Sequence, residues 1–143
     1  MSISAYANEL KFITIEVAPW ASVNSESQLM EGAFIEMVKE IEARTNHTIT
    51  ITLTPFARVY RELDSGEHDC TILIPLDDTI ITKGELVAYH DMGVIPHRDI
   101  VLSDYEQLYD MNISLLRGSA IMERFDNDQA LQKEYDTDYL ISL

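Results

Sequence analysis

Trp20 is the first side chain along the sequence whose type and position suit ligand binding. It follows the β-rich run 10–17, which Pro19 ends because proline cannot continue an interior strand. Its indole ring offers an apolar wall with one N–H donor, as ligand sites commonly use. A plug at the rim of the core is an equally good interpretation of this tryptophan.

Arg58 opens a predicted helix that follows the run 48–54. At that position its guanidinium would add to the amide donors of the helix start and hold a carboxylate. A surface ion pair with Glu62, four residues further along the same helix, is the alternative that the spacing slightly favours.

A third set of candidates, Asp77, Asp78 and Thr79, lies in the polar loop 75–84, after the apolar run 70–74. The two carboxylates would bind a ligand ammonium. Acidic loop residues are more often simply solvated.

The tripeptide Arg117-Gly118-Ser119 stands between a predicted strand and a predicted helix. Glycine permits close approach of the backbone, and successive N–H groups form an anion-binding nest. A tight strand-to-helix turn with no ligand is the alternative.

Other chemistry has little support in the sequence. The four histidines lack metal-ligand spacing, and no Ser-His-Asp set, Gly-rich phosphate loop or paired-carboxylate motif is present. The single cysteine, Cys70, begins an apolar run, where a thiol behaves as a small hydrophobe. We therefore predict a protein that is not an enzyme and that has neither cofactor nor metal.

The composition is that of a folded chain with an acidic surface. Of the 143 residues 46% are hydrophobic and 24% are charged, and 25 acids against 10 bases give a net charge of −15. Nucleic acid is therefore excluded as a partner, because phosphate binding needs clustered lysine and arginine.

The elements that position these residues alternate between strand and helix, which predicts an α/β fold with a β-α-β-α-β core. The run 48–54 alternates isoleucine or leucine with threonine, as an edge strand does, whereas 70–74 is apolar on both faces. The run 10–17 is intermediate between these two in its apolar character. Numbering the three strands in chain order, we therefore expect them to lie in the sheet in the order 2-1-3. The helices are predicted over 32–44 and 57–64, the second ending at Ser65-Gly66.

The remainder of the chain is less regular. We expect a polar loop at 21–28 and extended runs at 86–95 and 99–102. A short helix is predicted at 105–109, a strand at 113–116 and a further helix at 121–125.

Five motifs in this order resemble the solute-binding proteins of bacterial ABC importers, in the family that includes the polar amino-acid binders. They are Pro19-Trp20, Gly32-x-Phe34, Pro55-Phe56-x-Arg58, Leu63-x-Ser65-Gly66-x-x-Asp69, and Ile113 to Ser119. The resemblance covers about residues 10–139 and implies a type II periplasmic-binding-protein-like fold. In that fold two α/β lobes close on a small polar solute. It also favours binding by Arg117-Gly118-Ser119.

The resemblance divides the chain into a leader remnant or tail at 1–9, a partial first lobe at 10–95, and a crossover with the start of a second lobe at 96–143. It implies a chain that ends within the second lobe. We expect the incomplete first lobe to expose an apolar sheet edge that pairs with another copy, giving a homodimer.

The resemblance also implies a location and a partner. The segment Ala5-Tyr6-Ala7 has the small-x-small form of a signal-peptidase site, consistent with export to the periplasm. The membrane permease of an ABC importer is then the expected protein partner.

One departure from the family concerns the ligand. Family members that bind amino acids usually carry an arginine shortly after the third strand, where this sequence has Thr79-Ile-Ile-Thr82-Lys83-Gly84. Lysine binds a carboxylate less well, because it lacks the planar fork of arginine. We therefore expect a solute class wider than amino acids alone, namely an amino acid or a related carboxylate or amine.

Two alternatives share the fold. The first is the extracytoplasmic ligand-sensing domain of a signalling receptor. The second is an enzyme such as a dehydratase or a cell-wall hydrolase, which would need a titratable pair in the cleft.

Overall fold

The structure, a computed structural model, describes residues 8–73, 82–89 and 91–137. The chain is a mixed α/β protein with small parallel sheets, and it divides into two compact units between Thr82 and Lys83. The sequence-based boundary at 95/96 stays a prediction.

The first unit is built on the parallel pairing of two eight-residue strands, β1 (Asn8–Ile15) and β4 (His47–Thr54). Their register is unbroken, from Asn8 beside His47 to Ile15 beside Thr54. The strands predicted at 10–17 and 48–54 are thus confirmed, with shifts of one or two residues at their ends.

Burial distinguishes these two strands. In β1 the consecutive residues Phe12, Ile13, Thr14 and Ile15 are all buried, so both faces of the strand are covered, since side chains alternate between faces. In β4 the apolar residues of 49–53 are half-buried and the intervening threonines are exposed, so one face is covered.

Helix α1 (Ala33–Arg44) packs on β4, and helix α2 (Phe56–Asp64) packs on β1. Helix α1 buries Ile35 and Val38, whereas α2 buries four side chains, Phe56, Val59, Tyr60 and Leu63. Both predicted helices are confirmed.

The end of α2 shows how the sequence terminates a helix. Gly66 adopts φ +73°, its N–H donates to the carbonyl of Leu63, and the N–H of Glu67 donates to the carbonyl of Glu62. This is a Schellman motif with glycine in the left-handed position, as Ser65-Gly66 predicts.

The third predicted strand, 70–74, contacts β1 on the side opposite β4. Phe12 and Cys70 form a parallel bridge, and the Ile13 N–H donates to the Cys70 carbonyl at 3.0 Å. Asp69 strengthens this contact, because its carboxylate accepts from the Lys11 N–H while its own N–H donates to the Lys11 carbonyl. Residues 71–73 are not in a strand, and Ile74 lies outside the described residues.

The prediction of a polar loop at 21–28 is wrong in part, because a hairpin begins within this segment. Strands β2 (Ser22–Val23) and β3 (Met30–Glu31) pair antiparallel. Asn24 organises the turn, since its side-chain oxygen accepts from the N–H groups of Glu26 and Ser27.

The second unit contains a 3₁₀ helix (Tyr105–Asp110), β5 (Asn112–Leu116), α3 (Glu123–Asn127) and β6 (Gln132–Asp136). Strands β5 and β6 pair in parallel, and Leu108, Ile113, Phe125 and Leu131 form the core. The short helix and the strand predicted at 105–109 and 113–116 are confirmed, whereas β6 was not predicted.

The helix predicted over 121–125 is confirmed with a shift of two residues. It begins later because the Asp126 carboxylate accepts from the Ile121 N–H and holds that residue ahead of the helix. The extended runs predicted at 86–95 and 99–102 form no strand among their described residues, where most apolar side chains are exposed.

No helix in the described part of the chain is long and apolar enough to cross a membrane.

Gly32 allows a close backbone approach in the first unit. It has φ +122° and ψ 170°, and a Cβ at this position would lie 2.5 Å from the Trp20 carbonyl oxygen. This backbone region is essentially confined to glycine.

We therefore expect Gly32→Ala to lower the free energy of unfolding by roughly 3 kcal/mol, from backbone strain and from displacement of the Trp20 loop. Gly66→Ala is the matched control, because Gly66 also has positive φ but has nothing within 4 Å of the added Cβ. In urea unfolding, the control substitution should lower the free energy of unfolding by about 1 kcal/mol. Equal costs at the two positions would contradict the role of the Trp20 contact.

Candidate functional site

The first candidate site lies where β1 and β4 end. Because these parallel strands finish at the paired residues Ile15 and Thr54, the two following loops leave from the same edge of the sheet. The Glu16 N–H donates to the Thr54 carbonyl at 3.1 Å and keeps the loops together at their start. The carboxyl edge of a parallel sheet is the usual ligand position in open α/β folds.

Trp20 is half-buried in the loop after β1 and stacks on Phe34 of α1, with ring centroids 5.3 Å apart and planes at 22°. Its backbone carbonyl accepts from the Phe34 N–H at 2.8 Å, and the Pro19 carbonyl accepts from the Ala33 N–H at 3.1 Å. The ring stack and the backbone bonds therefore tie Trp20 and its loop to one helix, whereas its role as the wall of a ligand site stays a prediction.

Those same contacts change what the start of α1 can bind. The first N–H groups of a helix lack partners within it and often bind anions. Here the N–H groups of Ala33 and Phe34 are already taken by carbonyls of the preceding loop. The start of α1 therefore offers fewer free amide donors to an anion.

Arg58 is exposed in the first turn of α2, four residues after Thr54. The favoured alternative, an ion pair with Glu62, is not observed among the described residues. Glu62 instead lies 3.6 Å from the Arg61 guanidinium and 3.5 Å from Nδ1 of His68. The Arg58 guanidinium is therefore not committed to the acid that its spacing suggests.

The predicted residues Asp77, Asp78 and Thr79 lie outside the described residues. Their part in the site stays a prediction.

The turn Arg117-Gly118-Ser119 follows β5, and Gly118 adopts φ +85°. The Arg117 N–H donates to the Asp136 carbonyl at 2.8 Å, and the Ser119 N–H and hydroxyl both donate to the Leu116 carbonyl. Two of the three amides that would form an anion nest are therefore already bonded within the unit, which matches the turn alternative more closely. The exposed Arg117 side chain remains available for binding.

The structure thus brings Trp20 and Arg58 to one edge of the first unit. Arg117, Gly118 and Ser119 lie together in the second unit.

Sequence reasoning missed a polar network in the second unit. The Asp128 carboxylate accepts from the hydroxyls of Tyr105 and Tyr109, at 3.2 and 2.9 Å. The Arg124 guanidinium lies 3.7 Å from the centre of the Tyr105 ring and donates to Glu106 at 3.0 Å. The four-residue spacing of the tyrosines was a usable signal, whereas Asp128 is too distant in sequence to be found by spacing.

This network shifts the titration of its members. The hydrogen bond from Tyr109 lowers the pKa of Asp128 from 3.8, and the same bond, together with burial, raises the pKa of Tyr109 from 10.0. The bond to Arg124 adds to a backbone hydrogen bond in lowering the pKa of Glu106. These groups hold the 3₁₀ helix to the segment around α3.

The His68–Glu62 pair was also missed. The His68 side chain is nearly buried, and its Nδ1 lies 3.5 Å from Oε2 of Glu62 without forming a hydrogen bond. In the described parts of the chain no group of histidine, cysteine, aspartate and glutamate could hold a metal ion.

Comparison of the chain with protein-family models, curated proteins and solved structures gave no match. The inference of function therefore depends on the residues and their geometry.

The Asp128–Tyr109 bond predicts how stability depends on pH. A lowered carboxyl pKa stabilises the fold above pH 3.8, and this contribution is lost as the pH falls through the folded-state pKa. A raised phenol pKa stabilises the fold below pH 10.0, and this contribution is lost as the pH rises through the folded-state pKa.

We expect Tyr109→Phe to reduce both effects, as measured by urea unfolding between pH 3 and pH 11. Tyr135→Phe is the control, because Tyr135 is half-exposed on β6. Identical pH profiles for wild type and Tyr109→Phe would contradict this account.

Cys70 provides a separate prediction. Burial, followed by the charge of Asp69, raises the pKa of its thiol above 9.0. Because the thiolate is the nucleophile, the native protein should react with iodoacetamide at pH 8 several-fold more slowly than the same chain in urea. Equal rates would show that Cys70 is an ordinary exposed thiol.

Proposed function

We propose that the protein is a solute-binding protein of the ABC-importer type, which captures a small polar solute bearing a carboxylate. In this proposal it acts in the periplasm and delivers the solute to a membrane permease. The observation that carries the proposal is the position of Trp20 and Arg58, which follow the carboxyl ends of adjacent parallel strands in register. An aromatic wall and a guanidinium at that edge suit a small carboxylate.

The topology of the first unit supports the same proposal. The parallel bridge between Phe12 and Cys70 adds a contact to β1 on the side away from β4. A third parallel strand in that position would give the order 2-1-3 of the type II binding-protein fold. The burial of both faces of β1 and of one face of β4 is consistent with a central and an edge strand, respectively.

The second unit adds a further element of support. Its β5–α3–β6 arrangement is a small parallel βαβ unit, with Arg117 immediately after the first strand. A strand followed by Arg-Gly-Ser is the motif that the resemblance associates with the second lobe.

Trp20 supplies the measurement, because it is the one tryptophan in the 143-residue sequence. We expect its fluorescence to change in a saturable way when the chain is titrated with amino acids or other small carboxylates. Polyamines serve as the cationic comparison, since an acidic chain attracts them non-specifically and in a salt-dependent manner. No saturable change with any of these ligands would overturn the proposal.

Arg58→Ala should weaken binding of the responding carboxylate about 10- to 100-fold, as expected for loss of a charged hydrogen bond. Arg61→Ala is the matched control, since Arg61 is an exposed arginine on the same helix that lies beside Glu62. A similar loss of affinity in both variants would indicate a general charge effect and would contradict a specific role for Arg58.

A further inference from the structure

The second unit exposes a run of large apolar side chains that the proposed function does not use. We call residues 86–89 and 91–101 the apolar segment. Its described residues form neither helix nor strand. Eight of its side chains are between 38% and 90% exposed: Leu86, Val87, Tyr89, Met92, Val94, Ile95, Ile100 and Val101.

The exposed area of the segment is considerable. A large apolar side chain offers on the order of 150 Å² when fully exposed, so at these exposures the eight together present roughly 750 Å². A standard protein–protein interface buries about 800 Å² on each partner. The apolar segment therefore has the area that one side of a stable interface needs.

The charge of the segment favours a second copy of this chain as the occupant. Two copies with a net charge of −15 each repel one another wherever their acidic surfaces meet. The apolar segment has one arginine, Arg98, against two aspartates, Asp91 and Asp99, so it is nearly neutral. Contact through this segment buries apolar area where the repulsion is weakest.

The sheet edge of the first unit is less suitable. The outer face of β4 is lined by exposed threonines. The Ile49 N–H on this strand is taken by the Glu42 carboxylate at 2.8 Å, and a charged side chain at an edge opposes pairing with another chain. The homodimer predicted through an apolar edge of the first lobe stays a prediction, and the apolar segment is a second surface through which two copies could pair.

We propose that two copies of the chain associate through the apolar segment, each burying the segment of the other. Such an interface is isologous, since the same residues are contributed by both copies. Because added salt screens the repulsion between the acidic surfaces, association should become tighter as ionic strength rises.

The test is the solution mass of the full chain, measured by sedimentation equilibrium over a range of concentrations. We expect a dimer for the wild type and a monomer for the triple variant Tyr89→Glu, Ile95→Glu, Val101→Glu. These three side chains are each more than 80% exposed, so their replacement does not disturb packing within the chain.

The control is Leu29→Glu, Met122→Glu, Tyr135→Glu, which adds the same charge at apolar side chains that are 50–68% exposed outside the segment. This variant should remain a dimer. A monomeric wild type would overturn the proposal, as would a dimer that survives in the first variant or dissociates equally in both. Circular dichroism that matches the wild type establishes that both variants are folded.

Discussion

The first unit depends on the parallel pairing of β1 and β4, in which the two strands end at paired residues. Parallel pairing without a register shift fixes Ile15 beside Thr54, so the loop that holds Trp20 and the helix that begins with Arg58 start from one line. A shift of one residue would turn every side chain of one strand to the opposite face. In β4 it would turn the exposed threonines of 48–52 toward the covered face and the apolar residues of 49–53 toward solvent. The buried faces and the candidate site are therefore set by the same pairing.

Gly32 allows the loop that follows β1 to be fixed against α1 at Trp20. Without a Cβ, the chain passes close enough to the Trp20 carbonyl for the Phe34 N–H to bond it. The backbone bond and the ring stack then hold Trp20 from two sides. An indole fixed in this way loses little side-chain entropy on binding a ligand, which is the advantage of preorganisation.

The sequence predicted most of the first unit because its signals there are local. Alternation in 48–54, apolar periodicity in 32–44 and the glycine after Ser65 each depend on a few neighbouring residues. The β2–β3 hairpin was missed because its strands have two residues each, too few for any period to be visible. Strand β6 was missed for a different reason, since its sequence, QKEYD, is polar and its place is set by pairing with β5.

The candidate site was predictable only as residue types at strand ends. The Arg58–Glu62 pair was favoured by spacing but is absent, because Glu62 lies against His68 and Arg61. The nest at Arg117-Gly118-Ser119 was predicted from glycine, but which amides were free depended on the carbonyls of Leu116 and Asp136. In both cases the hydrogen-bond and ion-pair partners of these groups are set by the fold, and spacing along the sequence does not predict them.

Competition among charges then separates Arg58 from the arginines that already lie against a carboxylate. With 25 acids and 10 bases in the chain, three of its six arginines lie against an acidic neighbour among the described residues. Arg44, Arg61 and Arg124 lie against Glu40, Glu62 and Glu106, respectively. A ligand carboxylate at any of these would have to displace a carboxylate that is already tethered nearby. Arg58 has no such ion pair among the described residues, so a ligand there gains the attraction without that competition. Arg58 is exposed in the helix that follows the carboxyl end of β4, and this combination is why we propose it, rather than the paired arginines, as the group that holds a small anionic solute.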